Sequence, residues 1–287
     1  MFDKIEIAKG FIESGKYQKA IEYLTDFISK NDSEFLAYTH RGYAFFCTAE
    51  IDKAIVDLTY ATEINKKADL AYWYLSQIYL HKTNYNKAKE YIIRAIEIDK
   101  ENFNYIGDYA VIEQNLKNYL KSIDLCNKIL SYYPADTFAL NTRGYGYLCI
   151  NGFKNAIADF KRALIENPHD ILTLNNLGFA LSKNGEYKKA YKYLQLAIQI
   201  EPTFSYPHDN LGYLFYLDHD YDQALININK SIELDPSNSW AFKNRALVYI
   251  ALGKNDKAMT DLYRAKELGY TEEFDNEVNE LVEKTKN

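Results

Sequence analysis

The amino-acid sequence predicts an all-α solenoid built from tandem helix-turn-helix units. Two observations carry this prediction: an internal repeat of 34 residues, and a second small residue at a constant place within each repeat. The low numbers of glycine (12) and proline (5) among 287 residues agree with it. Few such residues favour long helices joined by short turns over a many-stranded sheet.

Small side chains recur at two places in every repeat, without a single insertion or deletion. The first series is Ala8, Gly42, Ser76, Ala110, Gly144, Gly178, Gly212 and Ala246. Twelve residues later comes the second series: Ala20, Ala54, Ala88, Ser122, Ala156, Ala190, Ala224 and Ala258. Since larger side chains would push packed helices apart, these series predict two helices per repeat that approach closely at the small residues.

Larger apolar residues surround these contacts at helical spacing. Four residues after the second small residue, each repeat places a core residue: Leu24, Leu58, Ile92, Cys126, Phe160, Leu194, Ile228 and Leu262. This spacing is typical of an amphipathic helix. Prolines predict the end of the second helix in four repeats: Pro134, Pro168, Pro202 and Pro236. The fourth repeat departs from the pattern, with Glu113 where other repeats carry a bulky apolar residue.

The period divides the chain into eight repeats, which we interpret as one solenoid domain. Its repeats are 1–34, 35–68, 69–102, 103–136, 137–170, 171–204, 205–238 and 239–270. Residues 271–286 follow a glycine and show one apolar face with acidic residues at the start. We interpret this segment as a capping helix that covers the last open face of the solenoid.

The pattern resembles the tetratricopeptide repeat. In the sixth unit, the matching landmarks are Leu177-Gly178, Leu181, Ala190, Leu194, Ala197 and Pro202. The resemblance extends over nearly the whole chain. It implies a right-handed superhelix in which the first helix of each pair lines a concave groove, and it implies that the chain binds another protein or a peptide segment.

Composition excludes several other classes of function. A net charge of -6 gives no reason to expect nucleic-acid binding, which needs clustered cations. No apolar stretch approaches the roughly 18 to 20 residues that cross a bilayer, so membrane insertion is not expected. Three cysteines without a C-x-x-C pair favour a reducing compartment. The acidic N terminus shows no export signal, so we expect a cytoplasmic location.

Signs of catalysis are lacking in the sequence. The five histidines lie in different repeats without the spacing of a metal site, and none of the common nucleotide, hydrolase or metalloprotease motifs occurs. We therefore predict no enzymatic activity, no metal and no cofactor.

Three repeats share a charged pair that we interpret as structural. Arg41, Arg143 and Arg245 precede the first small residue, and sixteen residues later the same repeats carry Asp57, Asp159 and Asp261. A partly buried guanidinium needs a carboxylate partner. We predict an Arg–Asp pair between the two helices of each of these repeats, rather than an anion receptor.

The predicted groove is lined by aromatic and amide side chains on the first helices. Tyrosine and tryptophan supply large contact areas at low entropic cost. Asn176, Asn210 and Asn244 occupy one place in three successive repeats, which resembles the asparagine ladder of O-linked N-acetylglucosamine transferases and suits an extended peptide backbone. The other candidate groove residues are Tyr43, Trp73, Thr142, Tyr145, Phe179, Tyr206, Tyr213 and Trp240.

The residues leave three functional hypotheses open. The first is an adaptor or scaffold that binds an extended or helical segment of a partner in the groove. The second is a self-assembling structural subunit of a larger complex, with homo-oligomerisation possible, and the third is a peptide-sensing regulator. The carboxylate clamp that holds acidic chaperone tails is absent, because Leu247 stands where the clamp requires asparagine and no repeat carries its arginine.

Overall fold

The computed structural model describes residues 2–270, 280, 281 and 283, with side chains from residue 4 onward. These residues form sixteen α-helices in tandem pairs, which confirms the predicted all-α solenoid class. The helices of the first four pairs are α1 Phe2–Glu13, α2 Tyr17–Ile28, α3 Phe35–Cys47, α4 Ile51–Ile64, α5 Asp69–His81, α6 Tyr85–Ile98, α7 Phe103–Asn115 and α8 Tyr119–Tyr132. Those of the last four are α9 Thr137–Cys149, α10 Phe153–Glu166, α11 Ile171–Lys183, α12 Tyr187–Ile200, α13 Ser205–Leu217, α14 Tyr221–Leu234, α15 Ser239–Ala251 and α16 Asn255–Glu267.

The pairs belong to two compact units, residues 1–134 and 135–287, which we call the N-terminal unit and the C-terminal unit. In both units the helix boundaries follow the 34-residue period. Each proline that was expected to end a second helix lies two residues beyond that helix, as Pro168 does after α10. Of the predicted capping helix 271–286, only residues 280, 281 and 283 lie among the described residues, so that helix stays a prediction.

The small residues lie where the two helices of a pair touch. A Cβ atom on Gly212 would stand 2.5 Å from Cγ1 of Ile228 and 3.0 Å from the carbonyl oxygen of Ala224. On Gly178 it would stand 2.6 Å from the Leu194 side chain. The distances of 2.5 and 2.6 Å to side-chain carbons are shorter than a carbon–carbon contact. The close approach of the two helices therefore depends on the missing glycine side chain.

The turn inside each pair passes through one residue with a positive φ angle. Glycine occupies this place in three repeats, at Gly15, Gly185 and Gly253, and relieves the steric cost of the left-handed conformation. The other five repeats use Ala49, Thr83, Lys117, Asn151 and His219. The turn geometry is therefore set by helix packing in all eight repeats and not by glycine alone.

The fourth repeat keeps the helical pair despite its unusual residues. Glu113 is 1% exposed, and its carboxylate lies 2.8 Å from the Lys89 ammonium and accepts a hydrogen bond of 2.6 Å from the Asn118 amide. Burial opposes its charge, but these partners hold the pKa of Glu113 below its usual value. The buried carboxylate is thus paired with a lysine within the N-terminal unit.

Two features are missing from the part of the chain that the structure describes. No helix there combines the length and apolar character that crossing a bilayer would require. The same residues contain no group of three or more histidine, cysteine, aspartate or glutamate side chains arranged to hold a metal ion.

Candidate functional site

The C-terminal unit contains a pocket of about 490 Å³ on the side formed by the first helices of its pairs. Helices α9, α11, α13 and α15 supply most of its wall. Its aromatic lining consists of Tyr145, Phe153, Phe179, Tyr206, Trp240 and Tyr270. Its polar and charged lining consists of Asn151, Asn175, Asn176, Lys183, Asp209, Asn210 and Lys243, and Leu148 and Cys149 complete it.

Aromatic packing holds one wall of the pocket in place. The Trp240 ring lies edge-on to Tyr270, with centroids 4.9 Å apart, and edge-on to Phe179 at 6.4 Å. Tyr270 is 2% exposed, whereas Tyr206 keeps 40% of its surface open to solvent. The wall therefore combines a fixed ring cluster with an accessible tyrosine, and rings of both kinds supply binding area in interfaces.

A buried charged cluster underlies the pocket. Asp209 is 2% exposed, and both of its carboxylate oxygens accept hydrogen bonds of 3.0 Å from Nδ2 of Asn244. Burial raises the pKa of Asp209 to about 6, although the Asn244 hydrogen bond and the charge of Lys243 act in the opposite direction. The cluster thus places a carboxyl group of raised pKa close to the Lys243 side chain.

Lys243 is itself buried, at 4% exposure, and lies among three aromatic rings. Its Nζ is 5.6 Å from the ring centroid of Tyr213, 5.7 Å from that of Trp240 and 5.5 Å from that of Tyr270. An ammonium group at such distances is attracted by the negative faces of the rings. The rings and Asp209 together account for a lysine in a buried position.

Amide side chains connect the first helices of neighbouring repeats. Nδ2 of Asn210 donates to Oδ1 of Asn175 over 2.8 Å, and Asn244 makes the equivalent bond to Asp209. Donor and acceptor are 35 residues apart in both cases. Asn175 in turn donates to Oδ1 of Asn176 over 3.3 Å.

These bonds show that the three asparagines of the row differ in their surroundings, while their role in peptide binding stays a prediction. Asn244 is 4% exposed and uses its donor on Asp209, because the preceding repeat offers a carboxylate there. Thr142, at the same place in the fifth repeat, is 8% exposed. Both side chains lie beneath the surface, whereas Asn176 and Asn210 are half-buried and line the pocket.

The structure brings six of the predicted groove residues into this pocket. They are Tyr145, Asn176, Phe179, Tyr206, Asn210 and Trp240. Tyr213 lies next to them, since its hydroxyl is 3.2 Å from Nζ of the pocket residue Lys183. Whether any of these residues contacts a partner stays a prediction.

The remaining two predicted groove residues, Tyr43 and Trp73, belong to the N-terminal unit. Tyr43 stacks on Tyr74 with ring centroids 4.3 Å apart. Nε1 of Trp73 donates to Asp108 over 2.6 Å, and Gln77 donates to the same carboxylate oxygen over 2.8 Å. The indole donor of Trp73 is thus used within the unit, and its place in the groove stays a prediction.

The three predicted Arg–Asp pairs meet through paired hydrogen bonds. Nε and Nη2 of Arg41 donate to the two oxygens of Asp57 over 2.7 and 2.8 Å. The corresponding distances are 2.8 and 2.6 Å for Arg143 with Asp159, and 2.7 Å twice for Arg245 with Asp261. This fork geometry is the strong form of the interaction.

Arginine also reaches the preceding repeat, which the sequence reading did not anticipate. Nη1 of Arg41 donates to Oγ1 of Thr25 over 3.2 Å, and Nη1 of Arg245 donates to Oδ1 of Asn229 over 2.7 Å. Each acceptor stands sixteen residues before its arginine, just as each aspartate stands sixteen residues after it. The guanidinium thus joins three helices.

Sequence reading also missed the buried cluster and several other pocket residues, among them Asn175 and Lys183. A signal for the cluster was available. The side chain one place before the asparagine row in one repeat lies against the asparagine of the next repeat, a spacing of 35 residues rather than 34. Asp209 is the residue one place before Asn210 in the seventh repeat. An acidic residue at that place could have indicated a carboxylate that accepts from Asn244 of the next repeat.

Tandem helical pairs, with a pocket lined mainly by their first helices in the C-terminal unit, define a helical-repeat protein of the solenoid class. Models of the tetratricopeptide repeat match residues 171–204, 228–260 and 70–102. The chain therefore contains tetratricopeptide repeats.

Solved structures show the same fold. A tetratricopeptide repeat protein from Parabacteroides merdae superposes with a TM-score of 0.77 at 18% identity, and the match covers 88% of this chain and 99% of that one. The Cut9–Hcn1 hetero-tetramer structure of the APC/C matches with a TM-score of 0.68 at 14% identity, covering 94% of this chain and 52% of that chain.

Two curated relatives match over part of their length. BBSome complex member BBS4 from Bos taurus is 26% identical over 166 residues, which is 57% of this chain and 32% of that protein. Tetratricopeptide repeat protein 12 from Homo sapiens is 25% identical over 114 residues, which is 40% of this chain and 15% of that protein. The chain therefore spans less than a third of the length of these relatives.

Proposed function

We propose that the chain is a protein-interaction adaptor and that the pocket of the C-terminal unit binds an extended segment of a partner protein. The observation that carries this proposal is the combination of rings and amides in one open pocket of about 490 Å³. Rings supply contact area, and half-buried amides offer donors and acceptors to a peptide backbone. A relative that is a BBSome complex member supports a role in assembly with other proteins.

The pocket is built to keep its shape before a partner arrives. Trp240 is held by Tyr270, and Asn210 is held by Asn175. Side chains that are already ordered lose less entropy when a ligand binds. Four consecutive first helices contribute to the wall, so a segment of several residues can contact more than one repeat.

A selection with randomised 12-residue peptides displayed on phage tests this function. We expect enrichment of a sequence family against the wild-type chain. Replacing Tyr206 by alanine should weaken binding of the enriched peptide about tenfold, as interface tyrosines commonly do. Asn210→Ala should weaken it as well.

Tyr187→Ala is the matched control, because Tyr187 is 44% exposed and Tyr206 is 40% exposed, but Tyr187 lies on α12, outside the pocket. This control should leave the affinity unchanged. Equal effects of Tyr206→Ala and Tyr187→Ala would reject the pocket as the binding site. If no peptide is enriched, the peptide-binding function itself is rejected.

A further inference from the structure

Asp209 on α13 and Asn244 on α15 join two neighbouring first helices beneath the pocket, but one polar atom of this pair lacks a partner. Nδ2 of Asn244 donates to both carboxylate oxygens of Asp209 over 3.0 Å each. Oδ1 of the same amide is buried and accepts no hydrogen bond from the residues that the structure describes. A buried acceptor without a donor raises the free energy of the folded state, so the pair is incomplete with Asp209 ionised.

The missing donor is supplied if Asp209 carries a proton. A protonated carboxyl group has one O–H donor and keeps its second oxygen as an acceptor, whereas an ionised one only accepts. After a rotation of the Asn244 amide about its Cβ–Cγ bond, the carboxyl O–H can donate to Oδ1 while Nδ2 donates to the other carboxyl oxygen. Two reciprocal bonds then satisfy both side chains.

Burial favours the same protonated form. Both side chains of the pair are almost wholly buried, and removal from water penalises a carboxylate charge. Burial raises the pKa of Asp209 to about 6, and it outweighs the Asn244 hydrogen bond and the charge of Lys243, which lower that pKa. Asp209 therefore gains and loses its proton at mildly acidic pH.

Other titratable groups surround Asp209 on several elements. Those that line the same pocket are Tyr145 and Cys149 of α9, Lys183 of α11, Tyr206 of α13, Lys243 of α15, and Tyr270. From α12 and α14, which also pack against α13, the charged residues Lys188, Lys189, Lys192 and Asp222 are exposed, and Lys230 pairs with Glu233 over 2.9 Å. His208 precedes Asp209 in the chain, and its Nε2 lies 3.1 Å from the carbonyl oxygen of Pro202. Because His208 can titrate in the same pH range, the test must separate it from Asp209.

We propose that Asp209 and Asn244 form a proton switch between α13 and α15. With a proton on Asp209 the two side chains exchange reciprocal hydrogen bonds, and with Asp209 ionised only the amide donates. The proton comes from solvent and returns to it as the pH rises. Because Tyr206 lies on α13 and Trp240 on α15, the protonated switch makes the pocket wall more rigid, whatever binds there.

The switch makes the stability of the C-terminal unit depend on pH in a defined direction. The pKa of Asp209 in the folded unit, about 6, lies above its ordinary value of 3.8. A group with a raised pKa contributes its full stability below the ordinary value, and this contribution is lost as the pH rises through the folded value. From about pH 7.5 to about pH 5, these two values give about tenfold stronger protection against opening.

Hydrogen exchange of the α13 and α15 amides, corrected for the intrinsic effect of pH, measures this protection. Asp209→Asn should lack the tenfold gain, because its amide can form both reciprocal bonds with Asn244 at every pH. Asp222→Asn, which changes an exposed carboxylate on α14, and His208→Gln should both keep the gain. The same pH dependence in wild type and Asp209→Asn would overturn the proposal, as would loss of the gain in His208→Gln alone.

Carbon-13 NMR of the wild-type chain tests the switch without any substitution. The carboxyl carbon of Asp209 and the side-chain carbonyl carbon of Asn244 are assigned through their backbone resonances and followed from about pH 4.5 to about pH 8. We expect both signals to shift with one midpoint near 6. A midpoint for Asp209 near the ordinary value of about 4 would overturn the proposal. So would an Asn244 signal that does not move while Asp209 titrates, because the amide would then gain no donor.

Discussion

Replacing Asp57 by alanine is expected to lower the free energy of unfolding of the N-terminal unit by about 3 kcal/mol. The carboxylate accepts two hydrogen bonds from Arg41, and the two side chains are only 7% and 15% exposed. Removing one partner of a buried ion pair leaves the other charge without compensation. Urea unfolding followed by circular dichroism measures the loss.

The design includes two controls in the same unit. Asp26→Ala removes the carboxylate of an exposed Asp26–Lys30 pair, whose side chains are 68% and 63% exposed, and should change stability little. Replacing Arg41 and Asp57 together by leucine should restore much of the stability, since no buried charge is then left unpaired. Equal unfolding midpoints for Asp57→Ala and Asp26→Ala would contradict a structural role for the pair.

Replacing Gly212 by alanine is expected to cost about 2 to 3 kcal/mol in the C-terminal unit. The added Cβ would meet the carbonyl oxygen of Ala224 at 3.0 Å and the backbone nitrogen of Ile228 at 3.1 Å, besides the Ile228 side chain. Backbone atoms cannot rotate away, so α13 and α14 must separate. Hydrogen exchange of the α13 and α14 amides, together with urea unfolding, locates and measures the effect.

Two other glycines give a graded comparison. Gly178→Ala should cost less, because its closest contacts are the Leu194 side chain and the nearest backbone atom is 3.5 Å away. Gly10 has no atom within 4 Å of an added Cβ, so Gly10→Ala should stabilise α1 by about 0.5 to 1 kcal/mol. A Gly212→Ala protein as stable as wild type would show that the helices do not approach as described.

The fold was predictable from sequence because the same pattern of small and apolar residues recurs in each repeat. Small residues at two places and an apolar residue four positions later define one helical pair, and eight copies remove the ambiguity of any single one. The Arg–Asp spacing was readable for the same reason, since it recurs in three repeats. The left-handed turn residue was harder to recognise, because Thr83 and Lys117 carry no signature of it.

The candidate site was only partly predictable, because it depends on contacts between repeats. The aromatic rows pointed to Tyr145, Phe179 and Trp240, which do line the pocket. The asparagine row did not reveal that Asn244 donates to Asp209 in the preceding repeat. The 34-residue period aligns equivalent positions of successive repeats. It does not show that a side chain contacts the position 35 residues later, as Asp209 contacts Asn244.

Photo-crosslinking of the selected peptide tests the central claim most directly, namely that the first-helix side of the C-terminal unit binds the partner. A peptide carrying benzoylphenylalanine is irradiated with the wild-type chain, and mass spectrometry maps the attached residues. We predict attachment to α11, α13 and α15, near Tyr206 and Trp240. Attachment concentrated on the second helices α10, α12 and α14 would contradict the account.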